Sequence, residues 1–317
     1  MRVFKRVAAC ALAAVLVFSL AACGGDAEES ITTTHNPFIF GDYTGNVIPE
    51  GGSQANPDSQ GDDVPDTPDT PGTQEDNTIT ITFPEGYTLA RMILTLVDKG
   101  MGSEQEFWDV VNDSSVTSAC SYIAQEPDRG ARAFKMEGYL WPATYEFYKD
   151  ATPTEIFRKM LATTQDRYAS YASRASAVGL NLDEVITLAS IVEKEAATAS
   201  DMKNVASVLM NRLDAGMMLK CDSTINYVEG ALLGYHTKAG ISGNGDQFRP
   251  TYNTYKCAGI PAGPICNPGA TAIEAVLNPS DTNYLYFVSK DGVCYFQETD
   301  AEHVAKLKEL GIDPVMS

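Results

Sequence analysis

Residues 188–196 read LASIVEKEA, a run of apolar and small residues that contains two glutamates and a lysine. Asn181, with Glu184 three residues later, resembles a capping box, so the sequence predicts a helix from about Leu182 to Ala197. The residues of its predicted buried stripe recur at helical spacing and are Val185, Ala189, Val192 and Ala196. The stripe makes this helix a core element, and the charged residues at its end need an explanation.

These charged residues divide between the solvent side and the flanks of the stripe. On a helical wheel Lys194 lies almost opposite the stripe, in water, whereas Glu193 and Glu195 flank it at about 80° on either side. Glu193 faces small residues that leave room for water or a hydrogen-bond partner, namely Ala189, Ser190 and Ala197. Glu195 has a more apolar set of neighbours, namely Leu188, Ile191, Val192 and Ala199.

The apolar surroundings of Glu195 indicate acid chemistry. Removal from water disfavours a charged carboxylate, so the pKa of Glu195 is predicted to rise until the group keeps its proton near neutral pH. General-acid cleavage of a glycosidic bond requires a carboxylic acid in that state. The alternative is that both glutamates extend to solvent and pair with Lys194 or Lys203. The helix alone does not decide between these interpretations.

The first 23 residues are predicted to be a targeting segment. A basic start is followed by an apolar stretch from about Val7 to Ala22, as in a secretory signal peptide. The stretch ends in LAAC, residues 20–23, which resembles the lipobox of bacterial lipoproteins and implies lipidation of Cys23. A plain signal peptide or an uncleaved anchor is the alternative, but the apolar run is shorter than the roughly 20 residues of a span. We therefore expect a lipid-anchored protein on the outer face of the cell membrane.

Residues 24–77 are predicted to be a disordered acidic tether. Between Asp26 and Asp76 there are twelve Asp and Glu residues and no Lys or Arg. The low-complexity stretch DDVPDTPDTPGTQED cannot bury a core. The tether supplies most of the acidic excess behind the net charge of −19. No basic patch with interleaved aromatic residues follows, which argues against nucleic acid as a partner.

The remaining residues, 78–317, are predicted to form an α+β fold. Strict alternation indicates a strand from Thr78 to Phe83, and two short helices after it complete a small αβ module of residues 78–119. Residues 120–317 are predicted to form a larger mixed domain. Its expected elements are helices from about Thr152, at 182–197, at 200–214 and at 300–310, and a hairpin that turns on Asp291-Gly292.

The cysteines and histidines suggest no metal site, and nothing in the sequence predicts a cofactor. Five cysteines remain after the lipobox, namely Cys120, Cys221, Cys257, Cys266 and Cys294. Outside the cytoplasm such a set allows up to two disulfides and one spare thiol. The three histidines are far apart in the sequence.

Five segments resemble, in this order, the endolytic murein transglycosylases of the MltG/YceG-like family. They are EGYLWPATYEF (137–147), LASIVEKEA (188–196), VASVLMNRLDAGMMLKCDSTINYVEG (205–230), YNTYKCAGIPAGPICNPG (252–269) and YLYFVSKDG (284–292). The resemblance covers about residues 80–310, and the αβ module of residues 78–119 is similar to the family's LysM-like subdomain. Residues 120–317 would then be the catalytic domain. Ala196 and Ser223 depart from the family's usual residues.

The resemblance implies cleavage of MurNAc–GlcNAc bonds within peptidoglycan strands. One carboxylic acid protonates the leaving oxygen and then, as carboxylate, takes the proton of the MurNAc C6 hydroxyl, which closes onto C1 and leaves a 1,6-anhydro end. Water never attacks, so the usual pair of carboxylates is unnecessary. The family's catalytic glutamate matches Glu195. The implied partners are glycan strands, a membrane through the lipid anchor and, as a candidate, the cell-wall synthesis machinery.

Other residues of these segments are candidates for supporting or binding roles. Glu137 either orients Glu195 or caps a turn. Asn211 and Arg212 are candidates for binding the muramyl acetamide or a peptide carboxylate, the alternative being a salt bridge from Arg212 to the tether. Asp222 and Thr224 either support the acid or form an Asx-type turn.

The loop that begins at Tyr252 is a candidate sugar-binding loop. Tyr252, Asn253 and Tyr255 fit stacking on a sugar and bonding of an acetamide, and the Pro-Gly run through Asn267 would make the loop rigid. Packing in the core is the alternative for both tyrosines.

Two other classes of function remain open. A cell-wall-binding lipoprotein without catalysis would tolerate loss of either glutamate. A peptidoglycan hydrolase would need a second carboxylate to activate water, for which Asp222 is the candidate. The products separate the three classes: anhydro ends, reducing ends, or none.

Overall fold

A computed structural model of the protein describes residues 77–125 and 129–313. Cys23 and the predicted tether, apart from its last residue, lie outside these ranges. The described residues belong to one compact unit. Their strands and helices are, in chain order, β1 (Thr78–Thr82), α1 (Leu89–Asp98), α2 (Glu104–Val110), α3 (Ser114–Thr117), β2 (Thr144–Tyr148), α4 (Pro153–Ala175), α5 (Leu182–Glu195), α6 (Ala199–Asp214), α7 (Asp222–Tyr227), α8 (Leu233–Tyr235), α9 (Arg249–Tyr252), α10 (Ala270–Leu277), β3 (Tyr286–Lys290), β4 (Val293–Gln297) and α11 (Asp300–Glu309). This mixture of helices and small antiparallel sheets agrees with the predicted α+β class.

Strand β1 and helix α1 form where the sequence predicts them. The alternation in TITIT buries Ile81, and the Thr88 side chain caps α1 by accepting the Arg91 N–H. The partner of β1 is β2, antiparallel, with Thr78 opposite Tyr148. Because β2 lies beyond residue 119, the predicted subdomain of residues 78–119 does not contain both strands of its sheet. The division at residue 119 stays a prediction.

Helix α5 is the centre of the core. The capping box between Asn181 and Glu184 is present, which confirms the predicted start of the helix. The helix ends at Glu195, two residues before the predicted end, because Ala196 has an extended conformation. Residues 185–192 are all buried, since α4, α6, α7 and α10 pack around the helix. The predicted stripe was therefore too narrow.

A buried ionic network anchors the first turn of α5. Asp183, whose side chain is 3% exposed, pairs with Arg129 and with Arg132 and accepts a hydrogen bond of 2.7 Å from the Tyr139 hydroxyl. Burial opposes ionisation of Asp183, but the two guanidinium groups and their hydrogen bonds outweigh it, so the pKa of Asp183 lies below its usual value. The network joins the segment after residue 128 to the central helix.

The C-terminal hairpin has the predicted turn. Asp291 and Gly292 both have positive φ, 52° and 75°, as a two-residue turn between twisted strands requires. Strand β3 contacts α6 and α11, and α11 starts at the predicted position with a capping box from Thr299. The hairpin and α11 thus lie beside the helical core.

Neither disulfides nor a straight membrane-spanning helix are found in the described residues. The five cysteines form no disulfide there, and Cys221 and Cys266 are buried thiols that donate to the carbonyls of Leu219 and Ser190. No single described helix is long and apolar enough to cross a membrane. The consecutive helical segments Pro153–Val178 and Leu182–Glu195, bent by 95°, reach that length and composition only together.

Asp183→Asn is expected to lower the free energy of unfolding by about 3–5 kcal/mol, because two buried guanidinium groups lose their counter-charge. Since the folded-state pKa of Asp183 is lowered, its contribution is present above the unfolded-state pKa and is lost as the pH falls. Urea unfolding at pH 7 and at pH 3, below the ordinary pKa of 3.8, measures both effects.

The matched control is Glu274→Gln, which removes one half of the surface pair between Arg174 and Glu274, both 44% exposed. A loss of about 1 kcal/mol or less is expected for it. Equal losses in the two variants would contradict the structural role of the buried network.

Candidate active site

Glu195 occupies the C-terminal end of α5. Its Oε1 accepts a hydrogen bond of 3.3 Å from the Ser223 N–H in the first turn of α7. Burial raises the pKa of Glu195, the negative charge of Asp222 raises it further, and the contact with Ser223 opposes both. The predicted direction of the pKa shift is thus the one that the structure gives.

Glu195 lines a cavity of about 380 Å³, which we call the cleft. Its lining residues come from helices α5, α6, α7 and α11, from strand β3 and from the loops between them. The residues that line it are Glu195, Arg212, Lys220, Asp222, Tyr255, Tyr286, Phe287, Val288, Ser289, Asp300, His303, Val304, Leu307 and Ile312. A half-buried carboxyl that lines a cavity of this size can meet a ligand.

Asp222 and Tyr255 belong to the same cleft and are joined to each other. The Tyr255 hydroxyl donates to Asp222 Oδ1 at 2.6 Å, and burial together with this bond raises the pKa of Tyr255. Asn253 holds the loop by accepting the Tyr255 N–H at 2.9 Å through its side chain. An Asx-type turn is therefore present, but at Asn253 rather than at Asp222.

The structure separates the two glutamates that flank Lys194. Glu193 Oε2 accepts the Gly269 N–H at 3.1 Å, and Glu193 is not among the residues that line the cleft. Burial raises its pKa, and the charge of Glu85 adds to the rise. A Cβ atom at position 269 would lie 2.0 Å from the Glu85 carboxyl, so a larger residue there would require the Glu85 side chain to move. Glu193 thus connects α5 to the loop before α10.

Glu137 does not contact Glu195 within the described residues. Its carboxyl is buried and accepts the Leu89 N–H at 2.9 Å and the Asn267 side-chain amide at 3.3 Å. Burial raises the pKa of Glu137 to about 7. The structure agrees better with a capping role for Glu137 than with an orienting role. The group that Glu137 caps is the Leu89 N–H at the start of α1, not a local turn.

Asn267 lies in the core and not in the cleft. Its side-chain oxygen accepts the Leu140 N–H at 2.8 Å, and its amide donates to the Tyr87 carbonyl at 3.0 Å. A buried amide with its groups bonded in this way fixes the chain segments around it. Its role in the structure is to join α1 and residue 140 to the Pro-Gly loop.

Asn211 and Arg212 bond to backbone carbonyls. The Asn211 amide donates to the carbonyls of Thr282 and Tyr284, at 2.9 Å each. Arg212 donates to the carbonyls of Leu285 and Leu219, at 2.6 Å each, while its guanidinium also lines the cleft. These bonds correct the predicted substrate-binding role of Asn211, because both amide hydrogens are used to position the chain before β3.

Tyr252 and Thr224 are core residues, which argues against stacking of Tyr252 on a sugar, whereas the supporting role of Thr224 stays a prediction. Tyr252 is fully buried and packs against Tyr227 with 5.4 Å between ring centroids, so no ring face is open to a sugar. The Thr224 hydroxyl donates to the Cys221 carbonyl at 2.7 Å and is buried. The packing alternative therefore describes Tyr252, whereas Tyr255 reaches the cleft.

Several cleft residues were not among the predicted ones. Lys220, Tyr286 and His303 come from a loop, a strand and the last helix, and only the fold brings them to Glu195. The aromatic run before the hairpin is a signal for Tyr286. A cleft role for Lys220 or His303 has no signal in the local sequence pattern.

Residues 56–309 match the YceG-like family. The chain belongs to the YceG-like family. It is 32% identical over 255 residues to an endolytic murein transglycosylase of Streptococcus pneumoniae serotype 2, covering 74% of this chain and 45% of the relative. A protein of the same name from Bacillus subtilis is 31% identical over 232 residues, covering 70% of this chain and 62% of the relative.

A solved structure has the same fold. A YceG-like protein from Listeria monocytogenes is 31% identical, with a TM-score of 0.60 over 71% of this chain and 74% of that one. These findings confirm the predicted family. The chain spans about half the length of the curated relatives it matches, 45% and 62% of the two named above.

Glu137→Gln is expected to reduce the pH dependence of stability between about pH 4.5 and 7. The folded-state pKa of Glu137 is raised from 4.5 to about 7. Its stabilising contribution is therefore complete below pH 4.5 and is lost as the pH rises through 7. The loss is on the order of 3 kcal/mol. Glutamine stays neutral and keeps an oxygen for the Leu89 N–H.

The measurement is the free energy of urea unfolding at pH 5, 6, 7 and 8. The exposed Glu298→Gln serves as the control and should follow the wild-type curve. A Glu137→Gln curve that is parallel to the wild-type curve would contradict the raised pKa.

Proposed function

We propose that the protein is an endolytic lytic transglycosylase that cleaves MurNAc–GlcNAc bonds of peptidoglycan strands and leaves 1,6-anhydroMurNAc ends. One observation carries the proposal: Glu195, a half-buried carboxyl with a raised pKa, lines the cleft. The printed names of the relatives point to the same activity. Glu195 is the single acid and base.

The proposed reaction uses the two protonation states of Glu195 in turn. The protonated carboxyl gives its proton to the glycosidic oxygen, and the bond between that oxygen and C1 of MurNAc breaks. The MurNAc C6 hydroxyl oxygen then bonds to C1, and its proton passes to the Glu195 carboxylate. The acid is regenerated without consuming water. The Ser223 N–H, 3.3 Å from Oε1, stabilises the carboxylate between the two transfers.

A hydrolase is the second candidate, because Asp222 lies in the same cleft and its charge acts on Glu195. Asp222 would have to activate water, but its Oδ1 already accepts the Tyr255 hydroxyl. This bond occupies one of the two carboxylate oxygens that a water-activating base would use, which favours the transglycosylase. A binding protein without catalysis is the third candidate. Binding alone would not require a carboxyl such as Glu195, whose pKa is raised by burial, in the cleft.

The proposal extends to the location of the protein. The LAAC sequence supports lipidation of Cys23, and the acidic composition of residues 24–77 supports a tether that holds the enzyme on the outer face of the membrane. The module of residues 78–119 is proposed to be LysM-like. Its strand β1 pairs with β2, which lies outside these residues and is the second strand of the sheet. The cell-wall synthesis machinery is proposed as a partner that supplies new strands.

Glu195→Gln is expected to lower the rate of anhydro-end formation by about 100- to 10,000-fold, the usual loss for a general acid. The variant should still fold and bind glycan strands. Glu193→Gln is expected to lose less, because Glu193 bonds to Gly269 outside the cleft. The measurement is anhydromuramyl product per enzyme by mass spectrometry, with melting temperatures as the control for folding.

The outcomes of this comparison are distinct. Loss in Glu193→Gln with activity retained in Glu195→Gln would move the acid two residues back. Activity retained in both variants would refute the catalytic role of this helix. Reducing ends in place of anhydro ends would show that the protein is a hydrolase. If wild-type protein forms neither product, the protein is a binding protein without catalysis.

Cys23→Ala is expected to abolish lipidation and to leave unprocessed or released protein, because the thiol is the only group there that can carry the acyl chain. Mass spectrometry of the mature N-terminus and membrane fractionation measure the result. A wild-type protein that begins at another residue, or that carries no acyl chains, would disprove the anchor.

A further inference from the structure

Lys220 has a backbone conformation that a non-glycine residue rarely adopts. Its φ is 51°, in the left-handed region. Its N–H donates to the Thr254 carbonyl at 3.1 Å, and the next N–H, of Cys221, donates to the Thr254 hydroxyl at 2.8 Å. The Leu219 carbonyl on the other side is held by Arg212. The bonds on both sides fix the strained residue, and strain of this kind clusters at functional sites.

The Lys220 side chain is exposed and lines the cleft that contains Glu195. Within residues 77–125 and 129–313 its ammonium group makes no salt bridge and no hydrogen bond. The other fixed cation of the cleft, Arg212, is buried and donates to two carbonyls. The nearby Asp222 carboxylate accepts the Tyr255 hydroxyl instead. Lys220 is thus a cation that the fold presents at the cleft without a partner.

We propose that Lys220 forms a subsite for the carboxylate groups of the stem peptides that MurNAc residues carry. This inference rests on the proposed function. The sugar rings of the strand are uncharged, so a cation beside the acid has its counterpart in the peptide branches. The carboxylates of Asp222 and Asp300 also line the cleft and would repel such acidic branches. A local cation offsets that repulsion where the bond is cut.

The test compares two substrates on one inactive background. Glycan strands with their stem peptides, and strands of the same length from which an amidase has removed the peptides, are bound to full-length Glu195→Gln protein. Adding Lys220→Gln should weaken binding of the peptide-bearing strands by about fivefold, the effect of a partly exposed ion pair. Binding of the peptide-free strands should change by less than about twofold.

Two further variants control for charge and position. Lys220→Arg keeps the cation and should bind like the parent. Lys256→Gln removes an exposed lysine that does not line the cleft and changes the net charge equally, so it should bind both strands like the parent. The effect of Lys220→Gln should also shrink at about 1 M salt, because added ions screen the pair.

The inference is overturned if Lys220→Gln weakens binding of both strands equally, if it weakens neither, or if Lys256→Gln has the same effect. Failure of the proposed reaction is recognised separately, by the absence of anhydro ends from active wild-type protein. Binding is measured without turnover. Failure of the Lys220 subsite therefore changes only the binding results, whereas failure of the proposed reaction changes only the products.

Discussion

Helix α5 is buried on every side from Val185 to Val192, and a helix in that position has room for an acid only near its ends. An unpaired carboxyl among those residues would be desolvated without any access to a ligand. The helix stops at Glu195 because Ala196 is extended, and the last side chain emerges where α7 and the cleft meet the core. The adjoining Lys194 reaches the surface and donates to the Gly86 carbonyl at 3.3 Å. The position of the acid therefore follows from the length of one buried helix.

The carboxyl groups at the two ends of α5 have pKa values that are shifted in opposite directions. Asp183 lies in the first turn, where the helix dipole and two guanidinium groups favour the charged form and lower its pKa. Glu195 lies in the last turn, where the dipole disfavours a negative charge, and burial raises its pKa. An ionised carboxylate thus fixes one end of the helix, and a carboxyl that ionises less readily lies at the other end, where it lines the cleft. Exchanging the two environments would remove both functions.

The sequence predicts those features of the fold that depend on neighbouring residues. The capping box at Asn181 and the turn at Asp291-Gly292 both arise within a few residues, and both were predicted correctly. The pairing of β1 with β2 was not predicted, because the strands are separated by more than sixty residues. The site divides in the same way. The desolvation of Glu195 has a local pattern, whereas the core positions of Tyr252 and Asn267 depend on packing partners far away in the chain.

Arg212 shows why the sequence could not predict all the residues that line the cleft with Glu195. Its guanidinium donates to the Leu219 carbonyl beside the strained Lys220 and to the Leu285 carbonyl just before β3. A single side chain of α6 thus joins two chain segments whose neighbouring residues, Lys220 and Tyr286, line the cleft. The pKa of Arg212 is lowered by burial, but a guanidinium remains charged near neutral pH, so both bonds are charge-assisted. A planar group with donors in fixed directions suits this task, whereas a lysine would place one mobile ammonium between two carbonyls. Two segments that line the cleft are therefore held together by a residue whose sequence context suggests substrate binding, because donors that bind a ligand carboxylate can equally bind the chain's own carbonyls.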